Sequence, residues 1–330
     1  MKDNKGIALL IVLWILTILS VIALSFVYMM RLEIKMAKYQ RDKAQAFYLA
    51  RAGLERAIVQ LVIDKRSSRK IDALNESWSV NPDAYEDVNL PGGSYKVEVS
   101  DESGKININT ASAGLLRNLP VIKDAENRAE ICDSIIDWRD TNSNHELSGS
   151  EDNYYQALEE PYHCKNGHLD TVEELLLVKG VTGDLLYEED ADSDTSFLDG
   201  DGDGVSNIRL KDIITVYTDG KVNINTAGLE VLSSLIGGNA ELARNIIKYR
   251  AGADGVDGTE DDSPFSSAGK VTSIVGGSGH GQFAKLIKVN SNVFKIVSVG
   301  RVDNSRVTKK IEAIVDRSNS PLKIIYYREN

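Results

Sequence analysis

The chain has 330 residues, 42% of them hydrophobic, and its 38 basic and 49 acidic side chains give a net charge of −11. That balance disfavours a polyanion such as DNA as the main partner, because phosphate binding is driven largely by positive charge. The length suits one membrane segment plus one or two folded domains.

The hydrophobic residues are unevenly spread. No residue from Ile7 to Met30 is charged, and as a helix this run would span about 36 Å, enough to cross a bilayer with some tilt. A secretory signal has a shorter apolar core ending at a small-x-small cleavage site. Here the run flows without a break into a second helical pattern, from Arg31 to about Lys65. In it Phe47, Ala50, Leu54, Ala57, Ile58 and Leu61 recur at spacings of three and four, which marks an amphipathic helix. The two blocks predict one long helix, its first half in lipid and its second half packed on a soluble domain. Lys2 and Lys5 precede the span, whereas Arg31, Lys35, Lys38, Arg41 and Lys43 follow it. Counting basic residues alone would place the C-terminal side in the cytoplasm.

Lys5-Gly6-Ile7, a short basic leader ending in Gly before a long apolar helix, resembles a prepilin peptidase site. The resemblance implies a cut between Gly6 and Ile7 on the cytoplasmic side, N-methylation of the new terminal Ile7, and an orientation opposite to the charge count. The fifth residue after the cut is Ile11, where most pilins carry Glu. A carboxylate in lipid is costly and needs a partner, which in pilins is the terminal amine of the earlier-assembled neighbour. A subunit at the filament tip has no such neighbour and needs no Glu. The chain thus resembles the type II secretion pseudopilin K family. That resemblance implies a non-enzymatic minor pseudopilin at the tip of the pseudopilus. It would assemble with minor pseudopilins of types I and J on the inner-membrane secretion platform. The implied location is the bacterial inner membrane, single-pass, with the C-terminal domain in the periplasm.

Further along, Leu90-Pro-Gly-Gly-Ser is turn chemistry and Tyr95-Lys-Val-Glu-Val alternates as a half-buried strand. Two related segments follow, Lys105-Ile-Asn-Ile-Asn-Thr-Ala and Lys221-Val-Asn-Ile-Asn-Thr-Ala. Each reads as a short extended piece before a helix, with Thr110 or Thr226 as the expected N-cap. The repeat suggests two copies of one helical module rather than a solenoid. Apolar residues continue at helical spacing, Ile131, Ile135, Ile136 and Trp138 in the first copy and Leu242, Ile246, Ile247 and Tyr249 in the second. A further helix, capped by Thr171, is expected over the Val-Glu-Glu-Leu-Leu-Leu-Val run. Phe294–Val299 and Val307–Val315 then alternate as two strands joined by a turn at Asp303-Asn304-Ser305, and Ile324–Tyr327 adds an edge strand or a tail.

The fold expected is α+β: a pilin-like long N-terminal transmembrane and amphipathic helix packed on an antiparallel sheet. A large α-helical insertion would contain two helix-hairpin-helix or SAM-like repeats. The divisions are a leader at 1–6, a transmembrane helix at 7–30, the amphipathic helix and first strands at 31–104, the insertion at 105–290, and C-terminal strands at 291–330. Asp137-Trp-Arg-Asp, Gly149-Ser-Glu-Asp-Asn-Tyr-Tyr and Leu175-Leu-Leu-Val-Lys-Gly look like the insertion of the pseudopilin K family.

Three acidic loops bear on ion binding. In the first, Asp140, Asn142, Glu151 and Asp152 surround a Gly/Ser/Asn loop; hard oxygen ligands on a flexible loop suit Ca²⁺, and the family resemblance implies structural calcium there. Asp137 either ligates too or faces solvent, and the plainer alternative is a solvated acidic loop. In the second, Asp199, Asp201 and Asp203 have the one-three-five spacing of an EF-hand loop, with Gly204 at the turn, but the twelfth position is Leu210 instead of Glu. It is a second candidate calcium site or an uncompensated acidic run. The third, Asp254 through Asp262, reads as a solvated loop.

Cys132 and Cys164 are the only cysteines, either a disulfide or two separate buried thiols. The four histidines have no metal-ligand spacing, and neither G-x-S-x-G nor a P-loop occurs, so no enzyme can be assembled. The alternative reading is a membrane-anchored helix-hairpin-helix DNA-binding receptor. Against it, Gly237-Gly238-Asn239 and Pro120-Val-Ile-Lys depart from the usual G-x-G, and their surroundings are acidic.

Overall fold

The structure, a computed structural model, describes residues 5–67, 70–187, 208–275 and 280–330. A single helix runs unbroken over Lys5–Arg66. It contains no proline, so no backbone N–H is missing from its ladder. From Ile7 to Arg41 every side chain is exposed, and this part is long and apolar enough to cross a membrane. Past Arg41 the helix becomes one-sided, burying Ala46, Ala50, Leu54, Ala57 and Leu61, the stripe that the three-four spacing predicts.

That stripe packs on a five-stranded antiparallel sheet. The first two strands are β1 (Val88–Leu90) and β2 (Gly93–Asp101). Within the long excursion that follows lie four two-residue strands, β3 (Ile106–Asn107), β4 (Ile214–Thr215), β5 (Val222–Asn223) and β6 (Ile287–Lys288). The sheet is completed by β7 (Val293–Val302), β8 (Thr308–Asp316) and β9 (Lys323–Glu329). Its order is β1-β2-β7-β8-β9. β2 and β7 pair from Gly93↔Val302 to Asp101↔Phe294, so the excursion leaves and returns at one end of a single ladder. The segment Ile324–Tyr327 belongs to the edge strand β9 and is not a tail. Asn304 supplies the left-handed residue (φ 56°) of the β7–β8 turn.

Close approach of helix and sheet depends on small residues. A Cβ at Gly300 would run into the Ala46 carbonyl and the Ala50 amide, and one at Gly53 into the Ser298 hydroxyl. Ser298 donates instead to the Ala50 carbonyl at 2.7 Å. Trp78 closes this core from the side, edge-on to Phe294 at 4.9 Å.

The excursion has its own larger core, which includes Ile106, Ile108, Leu116, Ile131, Ile135, Trp138, Tyr155, Ile224, Leu232, Ile246 and Phe265. Its helices are short. The first copy of the repeat supplies Ala113–Arg117 and Arg128–Arg139, the second Leu229–Leu235 and Ala240–Arg250. β3 pairs in parallel with β4, and β5 with β6.

Three local expectations are corrected. Thr110 and Thr226 are not N-caps: Ser112 caps the first helix by accepting from Leu115 N–H, and the second starts at Gly228 with no side-chain cap. Residues Val172–Leu177 form a 3₁₀ helix, and the Thr171 hydroxyl does not cap it. Tyr249 is half exposed, one face of its ring stacked on the buried Phe265 at 4.8 Å, while the neighbouring Arg250 is buried.

Candidate functional site

The two Asn-Ile-Asn-Thr-Ala motifs fold alike. In each, the first asparagine turns the chain by accepting from the backbone N–H two residues on, Asn107 from Asn109 at 2.8 Å and Asn223 from Asn225 at 3.1 Å. The second asparagine clasps a distant backbone with both ends of its amide. Asn109 takes the N–H and C=O of Leu169, and Asn225 those of Phe265. An arginine closes each copy from behind. Arg250 donates to the Ile224 and Ala227 carbonyls, both at 2.8 Å, and Arg139 to the equivalent Ile108 and Ala111 carbonyls. These arginines were missed in the sequence, although Ile135-Ile-Asp-Trp-Arg and Ile246-Ile-Lys-Tyr-Arg repeat the signal.

The second copy also anchors the excursion to the sheet. Asp101, at the end of β2 and buried, accepts from Thr226 Oγ1 at 2.6 Å, Asn223 Nδ2 at 3.0 Å and Ser103 N–H at 2.7 Å, and from the Ser291 hydroxyl. Burial pushes its pKa up, and these donors pull it back. Nearby, Asp64, Asp72 and Glu76 have carboxylate oxygens within 4.8 Å of one another. They are spoken for: Arg317 pairs with Asp64 at 2.7 Å and with Asp72, while Trp78 and Ala73 N–H donate to Glu76.

The first acidic loop is built on the end of the Arg128–Arg139 helix. Asp133 accepts from Ser148 N–H at 3.1 Å and Asp137 from Glu146 N–H at 2.9 Å, which holds the loop over the helix. Gly149 has to be glycine, since a Cβ would strike the Asp137 carboxylate. Beyond the helix end Asp140 accepts from the Asn142 N–H and amide. Glu151 is 5% exposed, yet neither of its oxygens has a hydrogen-bond partner, and the buried Asn166 Oδ1 also lacks one. Burial pushes Glu151 up, the nearby Cys164 thiol and Asn166 amide pull it back, and the charges of Asp137 and Asp140 push it further up. Burial also raises Asp137, with Asp140 adding to it. Glu151 is a buried carboxylate with like charges nearby, which a cation would relieve, although among the described residues it is Asp64, Asp72 and Glu76, and not this loop, that bring three ligand atoms within 4.8 Å of one another.

The remaining sequence-derived positions are distributed as follows. Asp152 is turned to other partners, accepting from Cys164 N–H at 2.7 Å and meeting His163 Nδ1 at 3.0 Å. In the structure Cys132 and Cys164 are free buried thiols. Burial raises them to about 11 and about 12. The second acidic loop, with Asp199, Asp201 and Asp203, lies outside the described residues. In the third, Asp261 accepts from Thr259 Oγ1 and from the Ala253 and Asp254 amides, which hold its pKa at about 2. Gly6 and Ile7 lie on the long helix, and Ile11 is 54% exposed on its apolar surface.

Comparison with known proteins bears on both halves. Residues 99–188 match the family described as type II secretion system (T2SS), protein K, and residues 5–55 match the PilX N-terminal family. Type II secretion system protein K of Pseudomonas aeruginosa is 26% identical over 304 residues, covering 83% of this chain and 82% of that protein. The protein of that name from Aeromonas hydrophila is 28% identical over 209 residues, covering 56% and 61%. In fold, the chain resembles one in the GspK-GspI-GspJ complex of enterotoxigenic Escherichia coli, with a TM-score of 0.68 at 16% identity, covering 89% and 99%. With its apolar helix, antiparallel sheet and inserted domain in this order, the chain is similar to type II secretion system protein K along most of its length.

Proposed function

We propose that this chain is a minor pseudopilin that sits at the tip of the secretion pseudopilus, with sister subunits of types I and J below it. It is read as a non-enzymatic part, made in the inner membrane with its C-terminal domain in the periplasm. Prepilin peptidase would cut it between Gly6 and Ile7, Ile7 would be N-methylated, and the secretion platform would assemble it. The observation that carries the reading is the uninterrupted helix whose lipid-facing start bears Ile11, with no acid, below a bulky inserted domain. A subunit without that acid offers nothing to an earlier neighbour's amine, and so suits the first position. The likeness in fold to a chain crystallised in the GspK-GspI-GspJ complex of E. coli supports the choice of partners. The test is N-terminal sequencing of the mature chain, joined to cysteine crosslinking along Ile7–Leu61 in membranes holding the type I and J subunits. A chain that keeps its first six residues, or that crosslinks to neither sister, would overturn it.

Calcium is proposed at the first acidic loop. Asp140 and Glu151, with Asp137, would supply carboxylate oxygens, and the fit rests on the two unpartnered oxygens of Glu151. Asn142 and Asp152, engaged as described, would take part only by changing partners. The ion's contribution would be charge neutralisation that fixes the loop to the helix. The hairpin-like shape of each repeat is read as a packing device and not as a DNA clamp, since the chain carries a net charge of −11. DNA binding that weakens with salt would revive the receptor reading.

A further inference from the structure

Between the apolar span and the globular domain the long helix carries a charge pattern of its own, whose interpretation rests on the membrane reading above. From Arg31 to Lys43 there are five basic and two acidic residues in a chain whose net charge is −11. They are not evenly distributed round the helix. At about 100° per residue, Arg31, Lys35 and Lys38 fall within about 60° of arc together with Asp42, Leu49 and Gly53. Asp42 and Leu49 are buried on the side of the β7–β8 turn and the sheet. The three cations therefore lie on the side over which the globular domain projects. Glu33 points to the opposite side.

Among the described residues none of the three is ion-paired, whereas the nearby Arg41 is taken by Asp42 at 2.9 Å. All three are exposed. Arg31 directly follows the uncharged run, Lys35 stands about 6 Å and Lys38 about 10 Å further along the axis, and the first domain contact at Asp42 about 16 Å. A headgroup layer is about 5–8 Å deep on each side of the hydrocarbon. Arg31 and Lys35 fall within it, and Lys38 can reach down to it with its long side chain. Tyr28, 71% exposed, marks the same boundary as an interfacial aromatic.

We propose that Arg31, Lys35 and Lys38 form a one-sided basic collar that docks on the phosphates of anionic phospholipid in the leaflet beneath the globular domain. The occupant is chosen by charge and by continuity with the lipid-facing span. The rest of the soluble chain is acidic, so the collar is where an anionic bilayer would attract it. Docked on one side, it fixes the depth and rotation of the helix while the subunit waits in the membrane.

The test uses the full chain solubilised in mixed micelles with equal phosphatidylglycerol and phosphatidylcholine, followed by native mass spectrometry of retained lipid. The expected result is a preference for phosphatidylglycerol of about fivefold or more, lost at about 0.5 M salt. It should fall to parity in R31Q/K35Q/K38Q and persist in the off-side variant R41Q/K43Q. Equal retention of both lipids, or an equal loss in the two variants, overturns the collar. A collar that loses crosslinks to a sister subunit on substitution, without any lipid preference, belongs to protein contacts and also overturns it. Resistance of the full chain to alkaline carbonate extraction from membranes reports separately on the span. A carbonate-extractable chain refutes the membrane reading and the collar with it, whereas a resistant chain without lipid preference refutes the collar alone.

Discussion

Asn225 and Phe265 exchange two hydrogen bonds, the asparagine Nδ2 donating to the Phe265 carbonyl at 3.0 Å and its Oδ1 accepting from the Phe265 amide at 2.8 Å. The pair pins the loop after the second repeat's helices to the motif that starts the repeat. Asn225→Ala leaves a buried amide and carbonyl without partners, at a cost of about 1–3 kcal/mol. Asn225→Asp keeps the acceptor and loses the donor, so it should fall between. Urea unfolding of the solubilised chain would measure both, and an unchanged midpoint would remove the clasp from the account of this fold.

Glu151→Gln removes the buried charge that lacks a donor. In calcium-free buffer the variant should melt at a higher temperature than the parent, because its side chain no longer carries charge out of water. Calcium at about a hundred times its dissociation constant should add about 3 kcal/mol to the parent and little to the variant. A variant stabilised by calcium as much as its parent would place the ion elsewhere.

The same site sets a dependence on pH. Asp137 and Glu151 have pKa values raised in the fold, first by burial. Groups raised in this way contribute stability that is present in full below their unfolded values near 4, and lost as pH climbs through the raised values. Without calcium, then, stability should decline from mildly acidic toward neutral pH. The stabilisation by calcium should grow over the same interval, since protons no longer compete for the oxygens. Thermal melts at a series of pH values, with and without calcium, test both slopes.

Gly300→Val should push the long helix off the sheet, since even a Cβ meets the Ala46 carbonyl. Overpacking of this kind costs about 1–3 kcal/mol, and it should loosen hydrogen-exchange protection along β7 and the helix while leaving the inserted domain's own protection in place. Uniform loss across both cores would show that they fold as one unit.

How much of this was readable in the sequence divides along the range of the interactions. The long helix follows from local spacing, as do β7 and β8, because burial of one face leaves a period in the chain. The repeat was visible too, as two copies of one phrase. What the repeat does was not visible, because each asparagine finds its partner 60 or 40 residues away. The Thr226 cap fails for a related reason: its hydroxyl is drawn to Asp101, 125 residues earlier, and a tertiary partner outweighs a local one; the Thr110 hydroxyl instead turns back to the Asn107 carbonyl. The unpartnered Glu151 likewise follows from where the Gly149 turn lets the chain come close to its helix, which no spacing rule reports.

The pairing of Asp101 with Phe294 across β2 and β7 means that the inserted domain leaves and rejoins the sheet one strand's width apart, about 4.8 Å. Its bulk also meets the sheet through the hydrogen bonds of Asp101 to Asn223 and Thr226 and through the Tyr217–Tyr326 ring contact. Surface loops of the inserted domain away from those contacts could therefore be enlarged or trimmed while the two-strand junction stays in register.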